Sequence, residues 1–244
     1  MLLHRASFVV YQSRFCQEMS DRFLGRFAGP SAVVYNAVDT AMFSPAGRKP
    51  AANGAPLRLL AMGSHEDPVR VMAALDVVAA LAAQGVSAVL TVAGRLAWPG
   101  ADNDVKAAVA LLGLQGAVTL RGPYTQREAG DILRSADILL HLKYADPCPT
   151  VVIEAMACGL PVVGSRSGGL PELVGDEAGA LVPVPLDLEK LYVPPIADAV
   201  AAVRTVAASL EDFSSAARKR AVACFDKALW IEEHRRIFQQ VLGS

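Results

Sequence analysis

The stretch VVAALAAQGVSAVLTVAG, residues 77–94, carries no charge over 18 positions. That is about the shortest run that can cross a bilayer as a helix. Gln84-Gly85 interrupts it in the middle. The first half is rich in Ala and Leu at helical spacing. The second half, SAVLTVAG, is β-branched and ends in Gly. A helix, a glycine cap and a buried parallel strand account for both halves better than one membrane span does.

The same alternation runs outward from this point. Short apolar runs recur at LRLLAMG (57–63), AVLTVAG (88–94), AVTLRG (117–122), ADILLHLK (136–143), PVVGS (161–165) and GALVPV (179–184). Helical stretches such as VRVMAALDVVAALAAQG (69–85) and DNDVKAAVALLGLQG (102–116) separate the early ones, the latter with Leu111, Leu112 and Leu114 on an apolar side. Strands alternating with helices predict a doubly wound, Rossmann-like α/β fold, a parallel sheet covered on both faces by right-handed crossovers. Before it, FVVYQSRF, CQEMSDRFLGRF and SAVVYNAVD read as strand, helix and strand. TAMFSPAGRKPAANGAP (40–56) reads as a linker. The tail from Ser214 to Val241 reads as one helix or two, anchored by Phe225, Trp230, Ile237, Phe238 and Val241. Its basic run Arg218-Lys219-Arg220 reads as a solvated face, with a membrane or an acidic partner as the alternative.

Composition narrows the function. A chain of 244 residues forms one large domain or two small ones. Its net charge of −1 argues against a duplex nucleic-acid binder. Cys16, Cys148, Cys158 and Cys224 form no C-x-x-C pair and have no His at metal-ligand spacing, so they read as buried or incidental thiols and no metal is expected. The N-terminus lacks the features of a signal peptide. A cytoplasmic location is expected, with a peripheral seat at the inner membrane face as an option.

In open parallel sheets, ligands bind beyond the carboxyl ends of the strands. There the loops carry Ser64 and Arg70, Arg95, Arg121, Lys143 with Asp146, and Arg166 with Gly168-Gly169. These cations and glycines predict an anion site. In DPCPTVVIEAMACG (146–159), Pro147 and Pro149 precede a helix starting near Thr150. Free amides of Thr150, Val151 and Val152 would face a phosphate. Glu154, about a turn further, either accepts from a vicinal diol such as a ribose or only favours the helix start electrostatically. Gly168-Gly169 lets a backbone approach closely or take positive φ.

The string IEAMACGLPVVGSRSGGLPELV with upstream Asp146 resembles the donor-binding domain of family-4 glycosyltransferases, which are retaining, metal-independent enzymes of GT-B fold. YNAVDTAMFSP is similar to the asparagine-containing segment that opens the second domain, LRLLAMG and VLTVAGRL to its first strands, LLGLQGAVTLRGPY to the following helix and strand, and WIEEHRRIFQQVL to the closing helix. The resemblance implies three parts. Residues 1–40 would end an N-terminal acceptor domain, 41–213 would bind a nucleotide-sugar, and 214–244 would cross back. Glu154 would bind the ribose, Asp146 the transferred sugar, and the amides after Pro149, at Thr150 and Val151, the diphosphate, with Gly168 and Gly169 as a second candidate for donor contact on the same rim. Arg70 would neutralise the leaving group. Ser64 replaces a second expected cation, for which Arg121 or Lys143 would compensate. Asp146 is shorter than the Glu the family prefers, and Pro149 has no N–H to donate.

These features imply sugar transfer from a nucleoside-diphosphate sugar, with no cofactor, to a glycan, lipid or small-molecule acceptor. The acceptor domain would lie in cis or on a separate chain. The competing reading is a non-catalytic nucleotide-binding or scaffolding module. A hydrolase using Asp146 and Glu154 fits the cationic rim poorly. A dinucleotide oxidoreductase lacks G-x-G-x-x-G after every predicted strand.

Overall fold

In the computed structural model, residues 77–94 break at Gly85. Helix α2 (Val69–Ala83) ends there, and strand β4 (Ala88–Ala93) follows. Gly85 has φ +73°, and the amides of Gly85 and Val86 turn back to the carbonyls of Ala82 and Leu81 at 2.9 and 3.0 Å. A side chain would strain that position, so the glycine ends the helix. Residues 3–49 and 54–243 are described. Residues 50–53 of the expected linker, and the chain ends at 1–2 and 244, lie outside them. No helix among the described residues is long and apolar enough to cross a membrane.

The remaining elements follow the alternation. They are β1 (Val9–Tyr11), α1 (Arg14–Leu24), β2 (Ser31–Val33), β3 (Leu57–Met62), α3 (Ala101–Leu111), β5 (Val118–Gly122), α4 (Gln126–Arg134), β6 (Ile138–His141), α5 (Thr150–Ala157), β7 (Val162–Arg166), α6 (Leu170–Val174), β8 (Gly179–Pro183), α7 (Ile196–Ala208), α8 (Leu210–Phe225) and α9 (Lys227–Leu242). β1 and β2 form a separate parallel pair. The other six strands form one parallel sheet in the order β5-β4-β3-β6-β7-β8. The winding therefore runs outward from β3 to β5, then restarts at β6 and runs the other way.

Period-two alternation in the central strands feeds two cores. Leu60, Met62 and Leu139 face one, with α4, α5, α6 and α8. Leu59, Ala61, Ile138 and Leu140 face the other, with α2, α3 and α7. Burial on both faces explains why these strands read as unbroken apolar runs.

Three expectations are corrected. Arg218 and Arg220 are not a solvated face. Arg218 donates to the carbonyls of Thr40, Phe43 and Ala157, and Arg220 to those of Glu172 and Leu173, so both fasten loops to α8. On α9, Ile237 is buried, but Trp230 and Phe238 are 39% and 60% exposed and do not anchor it. At the end of α3, Leu114 is buried while Leu111 is 87% exposed. The predicted tail resolves into two helices, split at Asp226. That residue caps α9 through the Ala228 amide and pairs with Thr40, beside the Val38 bridge.

Candidate functional site

The reversal of winding places the crevice between the loops that follow β3 and β6, where open α/β sheets bind ligands. Arg70 comes from the first loop and its helix; His141 ends β6, and Lys143 and Asp146 come from the loop after it.

Asp146 Oδ2 lies 3.1 Å from Lys143 Nζ and 3.5 Å from His141 Nε2. Burial works to raise its pKa, but His141 and Lys143 outweigh that and hold it below the ordinary carboxylate value. His141 is 3% exposed, and burial lowers its pKa despite Asp146. Arg70 donates through Nη2 to the Ser64 carbonyl. Burial lowers its pKa against the pull of Asp67, Asp146 and Glu66, and an arginine remains charged regardless. Ser64 itself is exposed and supplies only that carbonyl. His65 is buried behind the same loop, its pKa driven to about 4 by burial and then by Arg70.

The backbone of this loop is held from below. Ala145 takes φ +50°, an uncommon conformation for a residue with a Cβ. Its amide donates to Ser167 Oγ at 3.0 Å, and the Gly169 amide donates to Asp146 O at 2.9 Å. A Cβ on Gly168 would stand 2.3 Å from Asp146 O, and one on Gly169 would stand 2.0 Å from Pro147 O. The two glycines therefore admit the acid loop itself, a close approach of backbone to backbone.

Helix α5 begins at Thr150 behind Pro149. Asn36 fixes that start, its Nδ2 donating to Cys148 O at 2.8 Å and to Thr150 Oγ1 at 3.3 Å. The Val152 amide is not free, because it donates to Pro149 O at 3.1 Å. Thr150 and Val151 keep open amides at the positive end of the helix. Glu154 sits beyond the first turn and is 8% exposed. Its Oε1 accepts from Gln126 Nε2 at 2.8 Å, and burial raises its pKa with Gln126 opposing. Its Oε2 has no partner among the described residues. A helix-dipole role fades past the first turn, where Glu154 lies.

Arg121 is not brought to this cluster. Its guanidinium is held by Glu128 at 2.7 Å, within the Thr125–Glu128 capping box that starts α4. It instead lines a cavity of about 310 Å³ with Gly94, Arg95, Asp102 and Pro123, beyond β4 and β5. A roomier hollow, about 620 Å³, runs along α9 and is lined by Trp230, Phe238 and Leu242, away from these groups. No three His, Cys, Asp or Glu side chains converge as a metal site among the described residues.

Sequence reasoning missed His141, Gln126 and Glu172. The T-x-x-E box starting at Thr125 could have flagged Gln126 as the first residue of a helix. A histidine inside ADILLHLK could have flagged a polar group at a strand end. Nothing local marks Glu172, whose oxygens accept from the amides of Arg14 and Phe15 at 2.8 and 2.9 Å and from Tyr35 Oη at 3.0 Å.

Comparison with known proteins gives the family and the fold. The chain is 30% identical to alpha-maltose-1-phosphate synthase of Mycobacterium tuberculosis, over 86% of its own length and 56% of that protein. It is 34% identical to D-inositol 3-phosphate glycosyltransferase of Mycolicibacterium vanbaalenii, over 62% of its length and 36% of the relative. It thus spans little more than half of that synthase's length. Among solved structures, a glycosyltransferase from Rickettsia africae superposes with TM-score 0.80 at 18% identity, covering 98% of this chain and 64% of that one. Anabaena HepE, solved with UDP and glucose, gives 0.78 at 20% identity, covering 98% and 64%. These two likenesses establish the fold, the Rossmann-like half of a GT-B architecture. The family model described as glycosyl transferases group 1 matches residues 56–202, and the chain belongs to that family.

Proposed function

We propose that this chain is the donor-binding half of an enzyme that moves a sugar from a nucleoside-diphosphate sugar to an acceptor. The observation that carries the reading is that the loops at the reversal of winding bring Arg70 within electrostatic reach of Asp146, and Tyr124 within reach of both Arg70 and Glu154, beside the open start of α5. The open amides of Thr150 and Val151, with Arg70, suit the diphosphate. Glu154 Oε2 suits the ribose diol. The cavity beyond β4 and β5, lined by Arg95, Arg121 and Pro123, suits the base. Asp146 Oδ1 suits a hydroxyl of the sugar.

As the sugar leaves, negative charge grows on the diphosphate. Arg70, Lys143 and the positive end of α5 oppose that charge in a fixed arrangement, which is electrostatic stabilisation of the transition state without a metal. Retention of configuration is part of the proposal and rests on the resemblance. So does the division of the chain, with residues 1–40 closing an acceptor domain, 41–213 holding the donor and 214–244 crossing back. The acceptor, a glycan, lipid or small molecule, would be held by that further domain. A cytoplasmic location suits such a donor.

Titration calorimetry with UDP, GDP and ADP and their glucose conjugates tests donor binding. Saturable binding of one base series is expected, and binding of none would overturn the reading. A nucleotide-binding module without transfer is the second reading. It is favoured by exposed Ser64, which adds no cation, and by Pro149, which adds no donor. Transfer of a labelled sugar by the chain together with its acceptor domain would rule that module out.

A further inference from the structure

His141 closes β6 and is 3% exposed. Its Nε2 is buried and faces Asp146 Oδ2 at 3.5 Å, the outer edge of hydrogen-bond distance, with no other partner among the described residues. A buried polar nitrogen left unpaired is destabilising, and native structures seldom keep one without a use. Lys143 Nζ approaches the same oxygen at 3.1 Å. The described residues offer Oδ1 no hydrogen bond. The backbone of Asp146 is already fixed by its carbonyl bond to Gly169 and by the Ala145 turn. What remains free is the rotation of a short carboxylate.

We infer that His141 is a positioning residue that acts through Asp146. Its Nε2–H and Lys143 hold Oδ2, so that Oδ1 is presented to a hydroxyl of the donor sugar. A carboxylate one methylene short has little reach, and holding one oxygen fixes where the other points. No proton is transferred; the imidazole donates a hydrogen bond. The inference rests on the nucleotide-sugar reading above.

Calorimetry on wild type, His141→Leu and His141→Gln, with glucose conjugates of UDP, GDP and ADP and with the bare diphosphates, tests it. The wild-type chain should bind the sugar nucleotide more tightly than the diphosphate. His141→Leu should erase that difference, about tenfold, while leaving diphosphate affinity unchanged. His141→Gln can donate from a similar place and should restore it. An undiminished difference in His141→Leu, an equal loss for both ligands, or no difference in wild type overturns the inference. Wild type binding no nucleotide at all overturns the donor reading itself, so the two failures are distinct. Long-range proton–nitrogen correlation spectra of wild type supply a readout that does not depend on the variant folding. They should show the Nε2–H tautomer, with a shift that moves on adding the sugar nucleotide but not the diphosphate. A bare Nε2 overturns the inference.

Discussion

Glu154 is a carboxylate kept where a carboxylate is uncomfortable. Burial raises its pKa in the folded chain above the unfolded value. The sign follows directly. The charged form is disfavoured by folding, so stability is greatest below the unfolded pKa and declines as pH rises through the folded one. Glu154→Gln should therefore raise the melting temperature of the free chain at neutral pH, as scanning calorimetry would show. The same change should weaken nucleotide binding by about 1–3 kcal/mol, because an amide that keeps its oxygen toward Gln126 Nε2 turns N–H donors, not an acceptor, to the diol. Acidification should act in the same direction on binding. As pH falls through the raised pKa of Glu154, nucleotide affinity should decline at a higher pH than an ordinary carboxylate would give, and Glu154→Gln should flatten that decline. Glu154 was legible in the sequence because a single acid in an apolar helix stands out. His141 was not, because its partner lies in a loop whose path depends on Ala145 and on glycines more than twenty residues downstream.

At the scale of elements, the acid loop and the Gly168-Gly169 turn are one unit. Gly169→Ala would drive a methyl to 2.0 Å from Pro147 O, in backbone that cannot yield as a side chain can. Such strain is of order 1–3 kcal/mol. Urea denaturation should show a loss of that size, and any sugar nucleotide should bind less tightly. Glu172, two residues into α6, extends the unit to α1, whose first amides it accepts. Burial and then Glu172 push the Tyr35 phenol up to about 12. Glu172→Ala should speed hydrogen exchange at the amides of Arg14 and Phe15 while leaving the hydrogen-bonded α5 amides from Val152 onward protected. Here the sequence told half of the matter. The P-E-L-V stretch announces a helix start, but a carboxylate that caps a helix more than 150 residues away leaves no local pattern. The basic run of α8 misled for the same reason, since Arg218 and Arg220 spend their donors on carbonyls of distant loops.

At the scale of the whole molecule, two cores share one sheet. Leu59 and Leu60 are neighbours in β3, yet each belongs to a different core. Neither core survives loss of the sheet, so both should melt together. Far-ultraviolet circular dichroism and the fluorescence of Trp98, in a chain carrying Trp230→Phe, should give coincident urea midpoints; separated midpoints would mean that the halves unfold singly. The strands and their parallel sense were legible from alternation. Their lateral order was not, because periodicity is blind to which edge the next strand joins. That order matters beyond folding. Since the winding restarts at β6, one bank of the crevice is written by residues 64–126 and the other by residues 141–169. The two banks are separate passages of text meeting over one ligand. Revisions to either can be inherited without rewriting the other, so the preference for one end of a ligand is free to drift in a lineage while the grip on its other end stays constant.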